Sequence, residues 1–270
     1  MAALRITTRN ARFQQWQALL SNRTKRQRAG EFLVHGVRPI SLALAAKWPV
    51  RTLLFNADRS LSSWARSTLA AASAEQVAMS AELMHELGEK TDETPELIAL
   101  LALPSDSLDR LSLSAATLGV VFDRPANPGN IGTLVRSADA FGASAVLVTG
   151  HAADPYDPRS IRASAGSIFG LPTVRVPSHR EVLDFLDAAP VRPLLVATDE
   201  NGEVDIAAAD LTGPLFFLIG NETVGLSTAW RSAADLTVRI PITGLASSLN
   251  AASAATVALY EAARQRAQID

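Results

Sequence analysis

The chain has 270 residues, of which 48% are hydrophobic and 19% charged, and this composition excludes disordered, collagen-like and low-complexity proteins. It contains no cysteine, which excludes disulfide scaffolds, thiol catalysis and Cys-ligated metal centres. The apolar runs are much shorter than the ~20 residues of a membrane span, so we expect a soluble, cytoplasmic protein with no membrane partner. No metal is expected either, because no metal-ligand spacing relates the four histidines, His35, His85, His151 and His179.

The net charge of −2 hides a basic N-terminal segment. Residues 1–38 carry eight basic side chains and one acidic side chain, a net charge of +7, whereas the remaining residues carry −9. Such an asymmetry indicates a polyanionic partner. The alternative interpretation is a solvated basic loop. The residues that we predict to contact the phosphates of such a polyanion are the most closely spaced cations, Arg23, Lys25, Arg26 and Arg28.

Helix-like and strand-like patterns alternate along the first half of the chain. Apolar residues at helical spacing predict helices, and short apolar runs between breakers predict strands. The predicted elements are helix 11–20, strand 32–35, helix 37–47, strand 50–56, helix 61–72, strand 76–79, helix 81–87 and strand 98–103. A breaker-rich stretch follows, so we predict an α/β domain over residues 1–108 and a second domain over residues 112–270.

In the second half of the chain, predicted strands and helices also alternate. The predicted strands are 118–123, 145–149, 173–176, 194–198, 215–219 and 236–240, and the predicted helices are 131–141, 157–163, 180–188 and 249–265. Because these strands are continuously apolar, we predict a parallel sheet with helices on both faces. Ligands of such sheets bind beyond the carboxyl ends of the strands.

Two loops at those carboxyl ends carry polar residues that a simple turn does not require. The first, residues 123–132, contains Asn130 at the start of a predicted helix and leads to Arg136 within it. The second, residues 220–227, places Glu222 directly after an apolar strand. Asn130 is also a candidate cap for its helix, and the second loop also fits a tight turn before a helix.

A third loop, residues 240–250, opens the C-terminal helix with small and polar residues. Ser248 and Asn250 offer a hydroxyl and an amide there, although capping alone accounts for either of them. Three such loops, each following a strand of the same domain, predict a shared site.

Together the three loops resemble the motifs of the SpoU (TrmH-type) family of RNA ribose 2′-O-methyltransferases. The first motif is similar to Asn130-Ile-Gly-Thr-Leu-Val-Arg136, the second to Ile219-Gly-Asn-Glu-Thr-Val-Gly-Leu226, and the third to Ile240-Pro241 with Ser248-Leu249-Asn250. The segment 28–38 resembles the start of the substrate-binding domain of many members, except that His35 stands where the family usually has Glu. The resemblance covers nearly the whole chain.

The resemblance implies an N-terminal L30e-like α/β domain that binds RNA. It also implies a C-terminal trefoil-knotted (SPOUT) methyltransferase domain with a parallel sheet. The implied methyl donor is S-adenosylmethionine, and the implied assembly is a homodimer whose active site draws on both subunits. The positions that match the donor-binding residues of the family are Thr198, Gly220, Ile240 and Leu249.

The resemblance also implies catalytic roles. Arg136 would hold the substrate phosphate and orient the ribose 2′-hydroxyl. Whether it also accepts the proton is open, because the pKa of an ordinary guanidinium lies above ~12. Asn130 and Glu222 would orient Arg136 or the ribose, while Ser248 and Asn250 would line the pocket for the donor and the nucleotide.

Arg162 is a further candidate contact for RNA or for the carboxylate of the donor, with a surface cation as the alternative. The leading functional prediction is 2′-O-methylation of 23S rRNA, with a uridine as the target and antibiotic resistance as a consequence. The alternatives are a tRNA 2′-O-methyltransferase, a thiostrepton-resistance-type 23S rRNA adenosine methyltransferase and a non-catalytic RNA-binding scaffold. The separate N-terminal domain favours rRNA over tRNA, and the intact motif residues argue against a scaffold.

Overall fold

The computed structural model describes residues 4–88 and 93–268, which divide into two compact units. The first unit comprises Met1–Pro104 together with Tyr156–Phe169, and the second comprises Ser105–Pro155 together with Gly170–Asp270. The sequence predicted two consecutive domains, over residues 1–108 and 112–270. The structure instead groups the segment Tyr156–Phe169 with the N-terminal residues.

The N-terminal part of the chain alternates strands and helices as predicted. Its elements are β1 (Leu4–Ile6), α1 (Ala11–Ser21), α2 (Arg23–Ala29), β2 (Glu31–His35), α3 (Val37–Ala45), β3 (Val50–Asn56), α4 (Ser63–Ala71), β4 (Glu75–Met79), α5 (Ala81–Leu87) and β5 (Leu97–Ala102). The strands form one mixed sheet in the order β1-β4-β3-β5-β2, in which β5 is antiparallel to both of its neighbours.

The remaining elements follow in chain order, and the strands among them form a larger sheet. They are β6 (Leu118–Asp123), α6 (Pro128–Ala140), β7 (Ala145–Thr149), α7 (Pro158–Ser164), β8 (Thr173–Val176), α8 (His179–Asp187), β9 (Leu194–Thr198), β10 (Val204–Asp205), β11 (Leu215–Ile219), α9 (Thr228–Ala233), β12 (Leu236–Arg239) and α10 (Ala251–Arg266). The sheet order is β10-β12-β9-β11-β6-β7-β8, and every strand pair in it is parallel, as predicted. Among the described residues, no helix is long and apolar enough to cross a membrane.

The order of this sheet explains why the motif loops converge. Strands β6, β11, β9 and β12 are consecutive neighbours and run in the same direction. Their carboxyl ends therefore lie along one edge, and so do the loops that follow them. Their side chains, such as Val120, Val196 and Phe217, are fully buried, as expected for strands covered on both faces.

Four short elements were not predicted. Strands β1 and β10 and helix α9 have six residues or fewer, which is too short for a hydrophobic period to show. The fourth is α2, in the segment for which the alternative interpretation was a solvated basic loop. Arg, Lys and Gln are good helix formers, and the Asn22 side chain caps this helix by accepting a hydrogen bond from the Lys25 N–H at 3.1 Å.

Arg26 of α2 is a correction to the predicted RNA contacts. Its side chain is almost completely buried within the first unit. Its guanidinium Nη1 donates to the Leu19 carbonyl oxygen at 2.6 Å, and its Nη2 lies 3.6 Å from a carboxylate oxygen of Asp157. Burial of a charge requires such partners. Arg26 is therefore a structural cation that holds the start of α7, and a phosphate has no access to it.

Candidate active site

Helix α6 does not begin where the sequence suggested. Asn127, and not Asn130, is the N-cap: its side-chain oxygen accepts a hydrogen bond from the Gly129 N–H at 2.8 Å. Pro128 occupies the first turn, where its fixed φ and missing N–H are tolerated. The alternative interpretation, in which Asn130 caps this helix, is therefore wrong. Its amide, which lies within the first turn, is left available for contacts with the other loops.

Glu222 ties the first two motif loops together. Its Oε1 accepts hydrogen bonds from the Asn130 Nδ2 at 2.8 Å and the Asn127 N–H at 3.4 Å, and its Oε2 accepts one from the Ala126 N–H at 3.1 Å. The third loop joins through Asn250, whose Nδ2 donates to the Asn130 Oδ1 at 3.3 Å. Glu222, Asn130 and Asn250, which come from three separate motifs, thus form one hydrogen-bonded chain.

The environment of Glu222 keeps its carboxylate ionised. Partial burial by itself would raise its pKa. The hydrogen bonds that it accepts from the Asn130 side chain and from the backbone at Glu222, Ala126 and Asn127 outweigh this effect, so the pKa of Glu222 lies below its ordinary value. At neutral pH it is therefore an anion that accepts hydrogen bonds.

Asn250 has a second task as the N-cap of α10. Its Oδ1 accepts hydrogen bonds from the Ala252 N–H at 2.9 Å and the Ser253 N–H at 3.3 Å. The capping interpretation is therefore correct for this residue, and its role in the pocket for the donor and the nucleotide stays a prediction. Because the cap fixes Oδ1, the side-chain amide is left to point its Nδ2 at Asn130.

Sequence reasoning assigned no role to three residues that hold these loops in place. The buried Asp123 carboxylate accepts hydrogen bonds from the Arg124 Nε at 3.0 Å and the Ser227 N–H at 2.8 Å. The Arg124 Nη2 donates to the Gly225 carbonyl oxygen at 3.0 Å, and the Asn221 Nδ2 donates to the Arg124 carbonyl oxygen at 2.7 Å. The sequence did contain a signal for these contacts, because Asp123 is an acidic residue at the end of the apolar strand β6.

A cleft of about 430 Å³ lies at the carboxyl ends of β9, β11 and β12. All four predicted donor-binding residues line it, and so do Glu222 and Ser248. Gly220 shapes its wall, because a Cβ at this position would stand 2.4 Å from the Leu226 backbone nitrogen. The residues predicted from sequence to hold the donor are Thr198, Gly220, Ile240 and Leu249.

Arg136 lies on α6, on an exposed face of the second unit. Its side chain forms no hydrogen bond or ion pair with any residue in the ranges 4–88 and 93–268. Six residues separate it from Asn130, which places the two side chains about 120° apart around the helix. The structure does not bring the guanidinium into the chain formed by Glu222, Asn130 and Asn250.

The predicted RNA contacts lie in the first unit. Lys25 and Arg28 are exposed on α2 and share a face, because they are three residues apart. Arg23 begins the same helix, and Arg162 is exposed on α7. Within the described residues, no group of three or more His, Cys, Asp or Glu side chains is placed to hold a metal ion.

Comparison with known families agrees with this geometry. A model described as the SpoU rRNA Methylase family matches residues 117–260, and one described as the SpoU L30e-like domain matches residues 10–99. The chain therefore belongs to the SpoU rRNA methylase family. Its second unit has the SPOUT methyltransferase fold and its N-terminal part the L30e-like fold. Threading of the chain into a trefoil knot stays a prediction of the resemblance.

Individual relatives cover nearly the whole chain. A 23S rRNA (uridine(2479)-2′-O)-methyltransferase of Streptomyces viridochromogenes is 59% identical over 98% of this chain and 93% of its own. The crystal structure of the SpoU methyltransferase AviRb of the same organism, in complex with AdoMet, superposes with a TM-score of 0.93 over 96% of this chain and 99% of its own. A 23S rRNA (guanosine(2553)-2′-O)-methyltransferase of Bacillus subtilis, RlmP, is 28% identical over 94% of this chain and 96% of its own.

Proposed function

We propose that the protein transfers a methyl group from S-adenosylmethionine to the ribose 2′-hydroxyl of a 23S rRNA nucleotide, and that this nucleotide is a uridine. The observation that carries the proposal is the cleft at the carboxyl ends of β9, β11 and β12, which the four donor-binding positions of the family line together. The relative that is 59% identical acts on a uridine of 23S rRNA, which supports the choice of substrate.

The cleft fits the donor by size and by chemistry. Its volume of about 430 Å³ lies within the range of small-molecule sites. Gly220 lets the backbone of residues 225 and 226 pack directly against the end of β11, because any side chain at this position would collide with them. The acidic side chains in the lining, among them Glu222, favour a ligand with a positive sulfonium group. The donor supplies an electrophilic methyl group.

The residues of this chain would then position the acceptor. A 2′-hydroxyl must be held in line with the methyl group and must lose its proton. Arg136 has a guanidinium without partners among the described residues, so it can bind the phosphate next to the target ribose and orient the hydroxyl. Accepting the proton is a second proposed role of Arg136.

Glu222, Asn130 and Asn250 would fix the amide groups that face the ribose. The anionic Glu222 fixes the Asn130 Nδ2, and Asn250 donates to the Asn130 Oδ1. The orientation of the Asn130 amide is thereby determined at both ends. Ser248, in the lining of the cleft, offers a hydroxyl on the side of the third loop.

The first unit would bind the rRNA through its cations. We assign this role to the exposed Lys25 and Arg28 on α2, to the exposed Arg162 on α7 and to the half-buried Arg23 at the start of α2, and we exclude the buried Arg26. Phosphate contacts of this kind supply affinity without reading the sequence of bases. The model of the SpoU L30e-like domain matches residues 10–99, which include α2, and this supports the assignment of the cations on that helix.

A homodimer is also proposed, with exposed apolar side chains of the second unit as its support. Val257 and Tyr260 are exposed on one face of α10, and Leu245 is fully exposed in the third loop. Size-exclusion chromatography with light scattering tests the assembly: Val257→Glu should convert a dimer into a monomer. A monomeric parent chain would refute the dimer. A cytoplasmic location follows from the proposed rRNA substrate.

The decisive experiment expresses the chain in a host that lacks the modification and maps ribose methylation on its 23S rRNA and tRNA by mass spectrometry. The expected result is one new 2′-O-methyluridine in 23S rRNA and resistance to an antibiotic that binds at that part of the ribosome. Arg136→Ala should abolish it, whereas Arg180→Ala, which removes an exposed guanidinium of α8, should not. A methyl group on tRNA or on an rRNA adenosine would support one of the alternatives, and none on any RNA would support the scaffold.

A further inference from the structure

The charged lining of the donor cleft is uneven. Among the described residues that line it, Asp199, Glu200 and Glu222 are acidic and Arg231 is the one cation. Glu222 is already occupied by three hydrogen bonds from the first motif loop. A guanidinium in an otherwise acidic cleft requires an explanation, because neither the sequence motifs nor the hydrogen-bonded chain at Glu222 uses it.

Arg231 is held against the wall of the cleft by the local backbone. It lies in the last turn of α9, and its Nη2 is 3.6 Å from the position that a Cβ on Gly225 would take. Gly225 has a φ of +66°, a conformation that favours glycine. Because residue 225 has no side chain, the guanidinium covers the space beside the second motif loop.

The guanidinium of Arg231 is available to a ligand. Its side chain is exposed and makes no hydrogen bond or ion pair with any residue that the structure describes. An arginine carries five N–H donors in a planar fork that matches the two oxygens of a carboxylate. No acidic side chain of the cleft takes up this fork.

We propose that Arg231 binds the α-carboxylate of the methionyl group of the donor. The inference rests on the proposed function, since that function defines the ligand. S-adenosylmethionine carries one carboxylate and two positive groups, an ammonium and a sulfonium. The three acidic side chains of the cleft repel the carboxylate of the donor and attract its two positive groups. Arg231 is the charged side chain of the lining that attracts the carboxylate.

This assignment replaces the role considered for Arg162. Arg162 belongs to the first compact unit and is not among the residues that line the cleft. The competing explanation for Arg231 is structural, because a cation in the last turn of a helix interacts favourably with the helix dipole. A purely structural arginine would affect stability, but it would not distinguish a ligand with a carboxylate from one without it.

Calorimetric titration with two non-reactive ligands makes that distinction. S-adenosylhomocysteine and its decarboxylated analogue, S-adenosyl-3-thiopropylamine, differ only in the carboxylate. Arg231→Gln should weaken binding of S-adenosylhomocysteine by about 10-fold or more, the effect expected for loss of a hydrogen-bonded charge pair, and should change binding of the analogue by less than about twofold. Arg231→Lys should retain part of the preference, and Arg180→Gln should retain all of it.

Each result decides between the explanations. Equal weakening of both ligands by Arg231→Gln would overturn the inference in favour of a structural role. If Arg231→Gln binds both ligands as tightly as the parent chain does, the inference is also overturned, even when the variant binds RNA more weakly. If the parent chain binds neither ligand, the proposed function itself fails. Thermal unfolding of each variant checks the fold, and Arg231→Lys provides the comparison if Arg231→Gln does not fold.

Discussion

Replacing Glu222 by Gln tests the hydrogen-bonded chain that links the three motif loops. The change keeps the shape of the side chain but converts one acceptor oxygen into a donor. If the amide nitrogen replaces Oε1, the bonds from Asn130 and Asn127 are lost, and if it replaces Oε2, the bond from Ala126 is lost. Because the carboxylate is exposed, we take a low value of about 1 kcal/mol, equivalent to a fall in Tm of about 2 to 4 °C.

The larger effect of Glu222→Gln should be on catalysis. If the glutamine nitrogen takes the place of Oε1, the Asn130 amide loses its anchor, and a misplacement of about 1 Å in a catalytic group costs roughly 100-fold in rate. Methyl transfer to 23S rRNA, followed with a labelled donor, should then fall by about that factor, and by less if the nitrogen takes the place of Oε2. Glu203→Gln is the matched control, since Glu203 is exposed in the same unit and does not line the cleft.

The pH dependence of stability gives an independent check on Glu222. Its pKa in the folded protein is lower than in the unfolded chain, because the hydrogen bonds from Asn130 and the backbone exceed the effect of burial. Its contribution to the free energy of unfolding is therefore present above the ordinary value of about 4.5 and is lost as the pH falls below it. The difference between the parent and Glu222→Gln should shrink in that range. Equal activity and equal stability of the two proteins at neutral pH would refute the reasoning.

Four further substitutions test other parts of the structure. Arg26→Ala should destabilise the protein by about 3 kcal/mol, because it leaves buried partners unpaired, and chemical denaturation measures this loss. Arg28→Ala should leave stability unchanged but reduce the salt dependence of RNA binding, which a filter-binding assay measures. Burial lowers the pKa of His35 to about 4, so stability should fall by up to ~1.4 kcal/mol per pH unit between pH 6.5 and 4, and His35→Gln should abolish that slope. Gly220→Ala places a Cβ against the backbone of the loop and should abolish donor binding in calorimetry while RNA binding persists.

Many strands of the second unit could be predicted, because each is marked by a short run of apolar residues that are adjacent in sequence. Strands such as β6, β9 and β11 are continuous apolar runs, and the structure gives them the predicted bounds. A run of this kind is buried whatever its neighbours are, so its position can be inferred without knowing the partners. The convergence of the loops also followed, since the carboxyl ends of neighbouring parallel strands share one edge.

The charge of the N-terminal segment shows where sequence reasoning falls short. The excess of cations suggested one basic surface for RNA. In the structure, Arg5 pairs with Asp58, Arg9 with Glu82 and Glu86, and Arg12 with Glu75, while Arg26 is buried. Each of these partners lies more than 50 residues further along the chain, so no local pattern could have identified which cations are neutralised.

The sequence by itself determined the α/β class, the order of the main strands and helices, and the three loops that carry polar groups. Only the tertiary structure decided which of those groups meet. It placed Asn127 instead of Asn130 at the cap of α6, joined Asn130 to Glu222 and brought Arg231 to the wall of the cleft. The physical reason is that hydrophobic periodicity acts between residues a few positions apart, whereas hydrogen bonds and ion pairs depend on the packing of segments that are distant in sequence.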